Sequence, residues 1–409
     1  MAVPGEDRPD VGGQVSGPQT EDTTSEDQGE DEGDNVEPSF FSDPKRLIQT
    51  GVIVVLLVVG IYLLLPSIVG LDDAVKKLGR ADWIWIAIAL AFNVLAFASY
   101  VALFRGVVGE NVLRLTWGES YQITMAGLAA TRLFSAGGAG GIVLTYWALR
   151  KAGMPRRQSA CRMVAFLVLL YAVYMLTVII NGILLRTGVI NGPNPGGLTI
   201  VPAAIAGVVI VIFLLIALVP QDFERRMRAY SRGYRRSRLV QRLASVPASL
   251  ASGVRTAIDF VRNPSRGGLA IAGAIGFWAA NIGILWASFH AFDVEVPLGV
   301  VVQGFFVGMV ANLIPFVPGG VGAVDAGLIG TFVLFGLPGS EVFAAVLVYR
   351  LIAFWLPIPP GIVAFFQLRR TVARWQSERG RSPVGNDAAE SLPGSLSTSP
   401  QSITSESKV

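Results

Sequence analysis

Long apolar runs alternate with short polar stretches along this chain, and the length of each run is the first guide to structure. The runs at 47–69, 83–104, 160–185, 198–219, 269–291 and 342–368 carry few or no charges, and each meets the roughly 20 residues that a helix needs to cross about 30 Å of hydrocarbon. These runs predict six transmembrane helices. Two further apolar segments, 117–150 and 299–335, are broken by glycine: RLFSAGGAGG over 132–141 and IPFVPGGVGAVD over 314–325. Each break is followed at a similar distance by Gly-x-Pro, as Gly153-Met154-Pro155 and Gly336-Leu337-Pro338. The helical piece after the first break is about 13 Å long and that after the second about 20 Å, at 1.5 Å per residue. Neither is a comfortable second crossing, so both segments predict re-entrant hairpins, buried in protein or lining a wet cavity because lipid cannot satisfy broken backbone.

Basic residues then orient the spans. Between 220 and 268 stand Arg225, Arg226, Arg228, Arg232, Arg235, Arg236, Arg238, Arg242, Arg255, Arg262 and Arg266 against Asp222, Glu224 and Asp259. Such a stretch belongs on the cytoplasmic side. Lys45 and Arg46, Arg105 and Arg114, Arg150 to Arg162, and Arg369, Arg370 and Arg374 agree, while Asp293, Glu295 and Glu341 mark the opposite side. In that frame the first hairpin enters and leaves from the cytoplasm and the second from outside. The expected fold is an all-α polytopic membrane protein with six full transmembrane helices and two re-entrant Gly-rich hairpins in an inverted repeat. The repeat units run over about 83–185 and 269–368, a cytoplasmic basic loop covers 220–268, and both termini are cytoplasmic. Broken helices at matching places in two halves point to a transporter's binding site.

Composition supports the class and removes alternatives. Of 409 residues 52% are hydrophobic and 15% charged, with a mean hydropathy of +0.55. One cysteine, Cys161, and one histidine, His290, leave little material for disulfides, thiolate chemistry or a His/Cys metal site. No P-loop occurs, and neither a metal nor a cofactor is expected. Residues 1–44 are acidic and lack apolar periodicity, and 371–409 are rich in Ser and Pro; both read as disordered tails flanking a membrane domain over 45–370. The basic stretch fits anionic headgroups better than nucleic acid, so no nucleic-acid partner is expected.

Three charges fall where lipid would penalise them: Arg132 before the first glycine cluster, Asp325 after the second, and Arg350 in the last helix. Intramembrane ionisable groups are functional candidates by default. A structural reading stands beside that one, with Asp325 paired to Arg350 and Arg132 capping carbonyls of its own broken helix. The glycine clusters add Gly137, Gly138 and Gly140 in the first hairpin and Pro318, Gly319, Gly320 and Gly322 in the second. Glycine permits positive φ, and a helix restarting after such a break aims free N–H groups inward, a site for phosphate or carboxylate. Packing by small residues is the alternative role. Pro357-Ile358-Pro359-Pro360 kinks the last helix, as a hinge or for packing.

The runs at 132–141 and 314–327, with GLPGSEVFAAVLVYRLIAF over 336–354, resemble the flippase-like integral membrane family built on the transmembrane region of lysylphosphatidylglycerol synthase. In that family the second motif reads Pro-Gly-Gly-x-Gly followed by an acid, often Glu and here Asp325, with an Arg in the next helix, here Arg350. The first motif places a proline before its glycine pair, where this chain has Ala136. The resemblance implies translocation of an anionic or aminoacylated phospholipid or of a polyprenyl-type glycolipid across the plasma membrane, with membrane lipids as ligands and an envelope lipid-modifying enzyme as a partner. It does not imply synthesis, so no enzymatic activity is expected. Two other readings stay open: an ion-coupled carrier of a small soluble anion, and a non-transporting scaffold for a lipid-modifying enzyme.

Overall fold

The computed structural model describes residues 79, 81–109, 113–133, 139–218, 238–313 and 321–381, which lie in one compact unit, Val54–Val409. The predicted span at 47–69, the acidic N-terminal segment, and Gly137, Gly138, Pro318, Gly319 and Gly320 fall outside the described residues.

Every regular element among the described residues is helical. In chain order they are α1 (Trp83–Val108), α2 (Trp117–Leu133), α3 (Ala139–Lys151), α4 (Arg156–Arg186), α5 (Gly196–Ala217), α6 (Arg238–Arg262) and α7 (Pro264–His290). There follow α8 (Leu298–Met309), tightened to a 3₁₀ turn over Val310–Leu313, α9 (Ala323–Leu334), α10 (Gly339–Arg350), a π-helical segment (Leu351–Trp355) and α11 (Ile358–Arg381). Five helical stretches are long and apolar enough to cross a membrane: α1, α4, α5, α7 and the composite Gly339–Glu378. They coincide with five of the six predicted spans. The chain is an all-α polytopic membrane protein, and the broken segments form the short helix pairs α2/α3 and α8/α9.

Two expectations change. Much of the predicted basic loop is helix α6, whose Ala251, Val254 and Ala257 are buried and whose Gly253 packs on Val164 of α4. Arg255 Nε donates to the Ala217 carbonyl at 2.9 Å, and Arg162 lies over the Phe260 ring. The arginines masked an apolar stripe at helical spacing, and the same crowding hid the start of α7 at Pro264 rather than 269. The C-terminal boundary also moves, since α11 continues through Arg381 where a tail was expected from 371. Trp375 Nε1 donates to Glu119 Oε1 and Thr371 Oγ1 to Gln122 Oε1, tying that extension to α2.

Small residues set the close approaches. Antiparallel α1 and α7 meet where Gly106 faces Ala270, Gly273 faces Leu103 and Ser99, and Gly283 faces Phe92. A Cβ on Gly273 would stand 2.7 Å from both Leu103 Cα and the Ser99 carbonyl oxygen, backbone that cannot yield. Gly273→Val is therefore expected to destabilise the fold by about 1–3 kcal/mol through overpacking, read as an earlier thermal unfolding transition in detergent. Unchanged melting would contradict this crossing. In the hairpins, Gly127 meets Gly141 and Gly308 meets Gly327. Across the chain, α1 packs on α7, α2 on α11, and α8 on α4. By contrast α5 buries only Thr199 and Ala206, and its exposed Ile205, Val208, Val211 and Leu215 are the surface that lipid covers.

Candidate functional site

The second hairpin restarts at Gly322, whose φ of 81° is open to glycine and strained for other residues. Its N–H donates to Asp325 Oδ2 at 2.8 Å, so the carboxylate sits in the first turn of α9, where the helix dipole favours negative charge. The other carboxylate oxygen, Oδ1, lies 2.8 Å from Arg350 Nε, and both side chains are about 5% exposed. That approach lies off the N–H axis and is an ion pair rather than a directed hydrogen bond. Arg350 Nη2 is buried and meets no hydrogen-bond partner among the described residues. The pairing considered from sequence is thus present, yet it leaves one guanidinium donor uncommitted.

Immediately after Arg350 the last helix changes pitch. Leu356 N–H bonds the Leu351 carbonyl, an i→i−5 link, across the π-helical segment. Pro357 is the local cause: it lacks the N–H that would pair with the Ala353 carbonyl, and π-bulges recur at functional sites. Arg132 satisfies the Ala353 carbonyl so released, together with that of Phe354 beside it. Its Nη1 donates to the Phe354 carbonyl at 2.9 Å and its Nη2 to that of Ala353 at 3.0 Å. A capping role was foreseen for Arg132, but on its own hairpin; the structure places it on the opposite half of the chain.

Phe354 joins these pieces. The Arg132 guanidinium lies 5.2 Å and that of Arg350 4.3 Å from its ring centroid, within cation–π range. Phe354 also packs with Leu133, the last helical residue before the first glycine cluster, and Ile358, while Val321 of the second glycine motif packs against the same cluster. The described residues that flank the two glycine breaks, Leu133 and Val321, therefore meet beside the π-segment. The structure brings together Arg132, Asp325, Arg350 and Gly322, and sets Gly140 in the first turn of α3. Sequence reasoning missed Phe354, since one aromatic in an apolar run carries no signal. Pro357 carried a signal for its neighbour alone, since a proline frees the carbonyl four residues back, here that of Ala353.

A double-mutant cycle tests this geometry. Arg132→Ala should cost about 1–3 kcal/mol by leaving buried carbonyls unpaired, and less in a Pro357→Ala background, where Ala353 regains a backbone donor. The expected coupling is about 1 kcal/mol, measured by thermal unfolding of the four proteins. Simple additivity would separate the proline from the arginine. Among the described residues no group of three or more His, Cys, Asp or Glu could hold a metal.

Comparison with known proteins places the charge cluster inside a recognised region. The family model described as the lysylphosphatidylglycerol synthase TM region matches residues 50–361, which include Arg132, Asp325 and Arg350. A UPF0104 membrane protein of Methanothermobacter thermautotrophicus is 26% identical over 328 residues, 76% of this chain and 94% of that protein. A match to a UPF0104 membrane protein of the same organism has 27% identity over 213 residues, 45% of this chain and 63% of that protein. A phosphatidylglycerol lysyltransferase of Staphylococcus haemolyticus is 28% identical over 81 residues, 20% of this chain but 10% of its own length. With three-quarters of its length inside the family match, the chain belongs to the lysylphosphatidylglycerol synthase transmembrane-region family.

Proposed function

We propose that the protein moves a phosphate-bearing lipid between the leaflets of the plasma membrane. The observation that carries this reading is that helices flanking both glycine breaks meet at a buried cluster with two guanidinium groups and one carboxylate, in which Arg350 Nη2 has no hydrogen-bond partner among the described residues. An excess positive charge in a low-dielectric interior favours an anion, and a guanidinium edge suits a phosphate oxygen. Arg132, the N–H groups at the starts of α3 and α9 and the Arg350 Nη2 donor would hold the phosphate, and the Asp325–Arg350 pair opens as the substrate arrives.

The recurring contacts of α2 with α11 and of α8 with α4 support an inverted repeat, the architecture of alternating access. The arginine-rich stretch supports cytoplasmic termini. The Staphylococcus relative is named for lysyl transfer to phosphatidylglycerol. An anionic or aminoacylated phospholipid accordingly comes first among cargoes, ahead of a polyprenyl-type glycolipid, with a lipid-modifying enzyme as the partner that supplies it. In this reading the chain translocates lipid and catalyses no bond change in it. A carrier of a small soluble anion would draw on the same charge excess. Reconstituted protein separates the two: lipid exchange in vesicles without soluble anion supports the proposal, and uptake of a soluble anion without lipid exchange overturns it.

A further inference from the structure

The last helix is shared between two sets of neighbours, and the change comes at the π-segment. Before it, α10 packs on α7 and α9, bonded through Asp325–Arg350 and touching α8 where the Phe305 and Tyr349 rings meet. After it, α11 packs on α2 and α3. Contacts run along the length of α2: Gly361 lies against Ala129 and the Met125 carbonyl, Thr371 bonds Gln122 at 2.8 Å, and Trp375 bonds Glu119 at 3.1 Å. The second hairpin in turn is tied to α4, where Tyr174 donates to the Phe306 carbonyl and Asn181 Nδ2 to the Gly299 carbonyl and Gln303 Oε1.

We propose that residues 351–357 are a hinge between two rigid bodies, the first hairpin with α11 and the second hairpin with α10 and α4, and that Arg132 is the positioning residue that latches it. The moving bodies then cross the boundary between the sequence repeats. The physical reason lies in how the hinge carbonyls are satisfied. Those of Ala353 and Phe354 are held by a side chain, which can exchange partners without unwinding a helix. Phe354 lies against both guanidinium groups, so rotation at the hinge alters the spacing of Arg132 and Arg350, and an anion held between them favours one angle over the other. What the motion serves rests on the transport reading; the division into bodies rests on the contacts alone.

Spin-label distances in nanodiscs test it, in a Cys161→Ser background with labels on exposed positions. Tyr121→Cys with Ala373→Cys lies within one body, Tyr121→Cys with Leu298→Cys spans the two, and Tyr121→Cys with Leu176→Cys lies within one sequence repeat. The first pair should give one narrow distance distribution, unchanged by Arg132→Gln. The second and third should be broad or bimodal, with populations that Arg132→Gln shifts. A moving 121–373 distance, a fixed 121–176 distance, or a narrow 121–298 distribution unaffected by Arg132→Gln would overturn the hinge. These distances are read without cargo, so a failed lipid assay leaves them standing, and a rigid protein that still moves lipid would reject the hinge alone.

Discussion

Asp325→Ala should remove about 3–5 kcal/mol of stability, the cost of leaving a buried charge without its counter-ion. Two losses add in this variant: Arg350 is stranded in a site about 4% exposed, and the Gly322 N–H loses the carboxylate that caps α9. Natural domains are held by only about 5–15 kcal/mol, so little folded protein should survive extraction. Replacing both partners, as in Asp325→Leu with Arg350→Met, should recover most of the loss, because apolar side chains of similar size can take over a buried pair. Thermal unfolding in detergent measures both. Wild-type melting of Asp325→Ala would mean that the pair is solvated, and an unrescued double variant would place the main loss at the α9 cap.

Arg350→Lys should have the largest effect on activity with a smaller one on stability. The ammonium group keeps the charge opposite Asp325 but loses the planar fork, and with it the uncommitted Nη2 donor. A charge-assisted hydrogen bond contributes about 1.5–3 kcal/mol. At 1.4 kcal/mol per factor of ten, lipid exchange should slow roughly ten- to a hundredfold while the protein remains folded. Exchange at the wild-type rate would remove Arg350 from the substrate site and return it to a structural role.

Much of the fold was legible because a bilayer demands simple things of a sequence. Five described spans stand where apolar length placed them, and the glycine breaks separate α2 from α3 and α8 from α9. The helix α6 was less visible, because eleven arginines between 220 and 268 dominate composition while its buried stripe is mostly alanine and valine. The extension of α11 past 370 depends on Thr371 and Trp375 finding Gln122 and Glu119 across the chain, contacts that no local pattern announces.

The site divides in the same way. Charge in an apolar run singled out Arg132, Asp325 and Arg350, and the partnership of the last two followed from having one acid and one base in adjacent helices. That Arg132 serves carbonyls more than 220 residues away did not follow. It depends on Pro357 opening the last helix where the end of α2 arrives, a juxtaposition made by tertiary packing. Gly322 was legible for a local reason, since a positive φ before a restarting helix calls for glycine.

The central claim is tested most directly by lipid translocation in proteoliposomes. Purified protein would be reconstituted with fluorescent lipids of different headgroups, and a membrane-impermeant quencher would report how fast inner-leaflet lipid becomes accessible, with Arg350→Lys measured in parallel. The account predicts faster exposure of a phosphate-bearing headgroup class by the wild-type protein and exposure roughly ten- to a hundredfold slower by the variant. Folded wild-type protein that accelerates no lipid, or a variant that matches it, would contradict the account.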